Sequence, residues 1–323
     1  MLFLFTICTL LLMAVSLKAS SQDALFSQFY ANPLYLNPAF AGSKGCTRIS
    51  MNYRNQPFPS FGTFSTYSFS ADTYSPRLSG GIGLNVIHDS QAGLIGHTQA
   101  GAFYAWQGML SHNWSISLGL EGTYLNHRIH TENLVFPDQY STSGSHTVSG
   151  EIFGDALSSH TLDFSGGFLI YTNAFYLGAS AHHLTQPAIG LYADHRLAMK
   201  YSFMMGYTYV PLENIQTGDK RISLSPNVII QSQSEYYRLN YGTYAQVGDI
   251  TAGVWFRHNL QHPNTLIFTL GVKQVNYAVG YSYDYSLSGF SDTFGGAHEI
   301  GVLLNFNCPE PNMKYRILNC PTF

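Results

Sequence analysis

Along most of the chain, apolar and polar residues alternate in runs of about ten, separated by clusters of Gly, Asn, Asp and Pro, which is the two-residue period of β-strands. In 197–209 one face carries Leu197, Met199, Tyr201, Phe203, Met205, Tyr207 and Tyr209, and the other Ala198, Lys200, Ser202, Met204, Gly206 and Thr208. Segments 114–124 and 275–285 repeat the arrangement, each with an oily face ending in tyrosine and a small or polar face. The pattern predicts strands at 46–56, 62–74, 79–88, 97–107, 114–127, 161–171, 174–183, 196–209, 219–231, 235–245, 250–257, 264–273, 275–284 and 297–307. These make an even number, as single-chain outer-membrane barrels have, and their length suits a tilted membrane strand. Connections 89–96, 128–160, 184–195, 258–263 and 285–296 alternate with short turns such as 74–78, 171–174 and 273–276. Long loops on one side and short turns on the other are the outer-membrane arrangement, and 211–220 is the one long connection on the short side.

Two stretches at the N-terminus break the pattern. Residues 2–15 form an almost continuous apolar run followed by small residues, so 1–21 reads as a signal peptide, too short for a spanning helix. Residues 22–45 then carry two Asn-Pro steps, Asn32-Pro33 and Asn37-Pro38, which exclude a regular helix or strand and suit linked turns. Phe26, Phe29, Tyr30, Tyr35 and Phe40 stand between those turns and need something to pack against. Residues 46–307 are the predicted barrel and 308–323 a periplasmic tail.

Composition agrees. Charged residues are 10% of the chain and aromatics 15%, a profile for one lipid face and one wet face. A net charge of −3 without a Lys/Arg cluster gives no footprint for nucleic acid. Cys8 leaves with the leader. Export favours oxidation, and the reading expects Cys308 to pair with Cys320 across a short Pro-bearing loop, with Cys46 as an odd thiol.

The run 26–42, FSQFYANPLYLNPAFAG, resembles the N-terminal signature of the PorP/SprF-like family of outer-membrane proteins. The likeness continues through Gly81-Ile82-Gly83-Leu84, through 117–122 and 176–187, and ends with Gly280-Tyr281-Ser282-Tyr283-Asp284-Tyr285 and Ala297-His298-Glu299-Ile300. Residues 299–306 are also similar to the terminal strand signal by which such barrels are recognised for assembly. The resemblance implies a bacterial outer-membrane β-barrel serving type IX secretion and gliding motility. Its implied partners are a secreted cargo with a type IX sorting domain or a surface adhesin, periplasmic or outer-membrane secretion components, and outer-membrane lipid. It implies no enzyme and no cofactor. A pore or hydrophobic-compound transporter with an N-terminal hatch is the alternative.

Catalytic chemistry is sparse in the sequence. No Gly-x-Ser-x-Gly elbow, phosphate-binding loop or HExxH occurs. Adjacent His182 and His183 on a strand would point to opposite faces, which argues against a metal. The inward positions Glu121, Lys200, Arg238, Asp284 and Glu299 are expected to face the lumen. With so few charges, a plugged lumen is favoured over a selective pore. Phe26, Phe29, Tyr30, Asn32, Pro33, Tyr35, Asn37, Pro38 and Phe40 form the expected plug, and 128–160 is the candidate loop for cargo contact.

Overall fold

The computed structural model describes residues 23–58, 62–131, 134, 157–190, 196–211, 222–259, 264–287 and 296–308. Among them are fourteen strands in one closed antiparallel barrel. They are β1 (Thr47–Phe58), β2 (Gly62–Ser75), β3 (Gly80–Gln91), β4 (Ile95–Met109), β5 (Ser115–Ile129), β6 (Ser158–Tyr171) and β7 (Phe175–His182). The circuit continues with β8 (Lys200–Tyr207), β9 (Ile222–Gln233), β10 (Tyr236–Val247), β11 (Ile250–Asn259), β12 (Thr265–Lys273), β13 (Tyr277–Ser286) and β14 (Ala297–Phe306). Each strand pairs with its sequence neighbours, and β1 closes on β14 from Thr47 opposite Phe306 to Asn55 opposite His298. Closure leaves no unpaired edge, the condition for β-structure to stand in lipid.

Alternation sorts the residues as the sequence pattern requires. Phe69, Leu84, Leu120, Leu162, Val254 and Leu270 face outward and are exposed, while Ser70, Asn85, Glu121, Asp163 and Thr269 face inward and are buried. β1 begins and β14 ends at the same rim, where the connections 76–79, 110–114, 172–174, 248–249 and 274–276 are short. At the other rim 130–157, 183–199 and 287–296 are long. The first rim is periplasmic and the second extracellular. Connection 208–221 lies at the periplasmic rim and is the long exception expected from the sequence.

Some sequence expectations need correcting. β8 starts at Lys200, so Leu197 is no part of the lipid face; it is buried, and its N–H donates to the Pro187 carbonyl. The expected loop 89–96 shrinks to three residues between β3 and β4, made possible by Ala92 and Gly93 at positive φ. The disulfide joins Cys46 to Cys308, with Cα atoms 4.4 Å apart, and not Cys308 to Cys320. Barrel closure is the reason: Cys46 precedes β1 and Cys308 follows β14, so pairing of those two strands makes distant cysteines neighbours. Cys320 and most of loop 128–160 lie outside the described residues.

Candidate functional site: a lumen filled by the N-terminal segment

Residues 23–45 lie inside the barrel and cross it more than once. After a 3-10 turn at Phe29–Ala31, two short proline-led turns build their shape, the helical turn Pro33–Leu36 and the 3-10 turn Pro38–Phe40, each with proline at its first position, where the missing N–H has no helical partner to lose. Asn37 organises the second turn: its Oδ1 accepts from Ala39 N at 2.9 Å, while its Nδ2 donates to the Phe168 and Ala179 carbonyls at 3.0 and 3.1 Å. Asn32 makes no such cap, and its Nδ2 instead donates to Ser68 Oγ on β2 at 2.9 Å.

The aromatic side chains fill the lumen against ring partners. Phe26 packs on Tyr35, Phe29 on Trp255, Tyr30 on Tyr244 and Phe40 on Tyr176, with centroids 5.2, 5.1, 5.4 and 6.2 Å apart. Phe26, Phe29, Asn32, Pro33, Asn37, Pro38 and Phe40 are buried, and Tyr30 and Tyr35 half-buried. The wall is cut back to admit them. A Cβ on Gly119 would collide with the Ala39 backbone, one on Gly81 with the Ala41 carbonyl, and one on Gly280 with the Tyr30 hydroxyl.

Charged side chains of the wall fasten the segment at three levels. At the first, Glu299 accepts the Ser27 and Gln28 backbone N–H groups at 2.7 and 3.1 Å. Asp284 accepts from Ser27 Oγ at 2.7 Å and pairs with Arg54 and Arg257 at 2.9 and 3.0 Å. Both guanidiniums also donate to Ser27 Oγ, at 2.8 and 2.9 Å. At the second, near the periplasmic rim, Asp72 accepts from Gly42 N at 2.7 Å and binds Arg48 through both oxygens at 2.8 and 3.0 Å. At the third, toward the extracellular rim, Asp23 meets Lys200 at 2.7 Å and His183 at 3.0 Å, and His183 also holds Asp163 at 2.7 Å. Burial opposes charge on Asp23, but His183 and Lys200 outweigh it and hold the carboxyl well below the usual range. Burial likewise disfavours the His183 imidazolium, yet Asp23 and Asp163 raise it to about 9.

The five inward positions read from the sequence are all on the lumen side. Asp284 and Glu299 share the first cluster; Lys200 joins the third; Glu121 lies 3.5 Å from His182; and Arg238 borders a small cavity with Asp23, Tyr35 and Lys200. Arg48, Arg54, Asp72, Arg257 and Asp23 join these clusters without having been expected there from the sequence. Scarcity was the available signal, because a charge on a membrane strand has only the lumen to face. His182 and His183 do not point apart: His183 follows the end of β7 at φ 61° and turns back inward, so both rings are buried. Among the described residues no group of three or more metal-ligating side chains converges.

The sequence model of the family described as "Type IX secretion system membrane protein PorP/SprF" matches residues 18–304. The chain belongs to the PorP/SprF family. Among curated proteins no relative matches it. The Ralstonia pickettii toluene transporter TbuX is similar in structure, with TM-score 0.50, 8% identity, and coverage of 84% of this chain and 93% of that one. CymD, a monoaromatic hydrocarbon channel, has TM-score 0.49 at 11% identity over 85% and 93% of the two chains. Omp33 of Acinetobacter baumannii has 0.44 at 8% over 82% and 100%. At such identities TbuX supports the barrel fold alone. Family and fold together place this PorP/SprF chain in the bacterial outer membrane.

Proposed function

We propose that this PorP/SprF barrel is a non-enzymatic holder within type IX secretion, supporting the secretion or surface attachment of a cargo adhesin that carries the sorting domain, and through it gliding. The observation that supports this reading is the lumen filled by the chain's own residues 23–45, fastened at three charged levels. A barrel closed in this way offers its rims and outer wall for binding rather than a path for solutes. The test is affinity purification of the tagged chain from detergent-solubilised outer membranes. Co-purification of an adhesin or a secretion component is expected, and their absence under gentle extraction contradicts the reading.

A second reading is a pore or hydrophobic-compound transporter in which residues 23–45 act as a hatch. It is favoured by the segment being one continuous stretch joined to the wall at Cys46, and by the fold shared with TbuX. Solute flux by the purified full chain in liposomes separates the two: the holder passes none.

A further inference from the structure

On the outer wall, Phe175, Met205, Tyr207, Pro226, Val228 and Tyr241 border an apolar groove of about 390 Å³. Its floor is the backbone of Gly206, Asn227 and Gly242, neighbours in register on β8, β9 and β10. Inside the barrel, the Asn227 side chain and Tyr176 ring stand against Gly206, and the Trp255 ring against Gly242. The groove is therefore closed to the lumen and open to the membrane.

A missing rung runs through it. Tyr209 and Leu224 exchange both backbone hydrogen bonds, at 2.8 and 2.9 Å, so the alternation of an antiparallel ladder makes Tyr207 and Pro226 the next such pair. Proline has no N–H, and Pro226 gives nothing to the Tyr207 carbonyl. A ladder proline belongs at an edge or an irregularity, and here it stands in a closed wall.

We propose that this groove is a specific site for one phospholipid of the periplasmic leaflet, with an acyl chain lying across Pro226. Three observations favour that occupant. Phe175 opens β7 and Tyr207 closes β8, which puts the groove in the half of the wall next to the periplasmic rim, where that leaflet lies. The bordering side chains stand on outward faces, so hydrocarbon is what meets them. The groove is closed on the lumen side by Tyr176, Asn227 and Trp255, so its occupant enters from the bilayer. Since lipid tails are as apolar as the wall, selectivity comes from shape, from the hollow that Phe175, Met205, Tyr207, Val228 and Tyr241 leave around Pro226. The site depends on the barrel and its orientation and is independent of the cargo reading.

The experiment reconstitutes the full chain in phosphatidylethanolamine/phosphatidylglycerol nanodiscs containing a trace of phospholipid with a photoreactive diazirine on one acyl chain. Labelled peptides are mapped by mass spectrometry. Labelling of Met205, Val228 and Tyr241 is expected to exceed that of the exposed outward residues Leu84 and Leu120 several-fold. Val228→Trp, which fills the groove, is expected to reduce it to the level of those controls while the barrel keeps its heat-modifiable migration. Equal labelling of groove and control faces overturns the proposal. So does crosslinking of the groove to a protein, in place of lipid, when a photoreactive diazirine amino acid replaces Val228 and isolated outer membranes are irradiated.

Discussion

At Gly119 the barrel wall meets the Ala39 backbone so closely that a methyl group has no room, whereas a methyl on Gly122 meets only the Phe164 ring at 3.7 Å. The contrast predicts that Gly119→Ala destabilises the folded protein by about 1–3 kcal/mol through overpacking, with a much smaller effect at Gly122→Ala. Urea unfolding in lipid vesicles measures both. Asp23 and His183 give a pH dependence with a defined sign. The lowered Asp23 contributes stability above its ordinary value of 3.8, and loses it as pH falls below that value. The raised His183 contributes fully below its ordinary 6.5, and its contribution is lost as pH rises through about 9. The outer end of the segment is thus held most firmly between these limits. Amide exchange of residues 24–29, corrected for intrinsic rates, is expected to quicken on passing from pH 7 to pH 10. No change across that interval contradicts the assignment.

The N-terminal segment is tied as an element by buried charges that pair with one another and hydrogen-bond to it. Asp284 faces two guanidiniums, so Asp284→Asn leaves Arg54 and Arg257 buried with Glu299 as the nearest counter-charge. Breaking such a buried network is expected to destabilise the fold by about 3–5 kcal/mol, measured by the same vesicle unfolding. How far this element could be read in the sequence depends on the kind of information needed. The Asn-Pro steps and their aromatic neighbours announced a turn-rich segment in need of a container, and the alternation of the strands announced the container. The convergence of Arg54, Arg257 and Asp284 was not readable, since it depends on strand register around the circuit rather than on local period. His183 was misjudged for a local reason: strand parity fails where the backbone enters positive φ.

For the whole molecule, closure is the feature that sequence reasoning could count but not finish. Fourteen strands were expected and fourteen are present among the described residues, because the two-residue period and the turn clusters are local signals. The Cys46–Cys308 bridge is a consequence of closure itself, joining residues 262 positions apart at the β1–β14 seam, and nearness in sequence pointed to the wrong partner. Loss of this bridge in Cys46→Ser is expected to lower stability by about 2–5 kcal/mol, read as a reduced midpoint of urea unfolding that reductant reproduces in the unaltered chain. The filled lumen is the central claim at this scale, because it separates a holder from a pore. Its most direct test is the conductance of the purified full chain in planar lipid bilayers. The account predicts insertion without steady ionic current; reproducible unitary openings from the full chain contradict it.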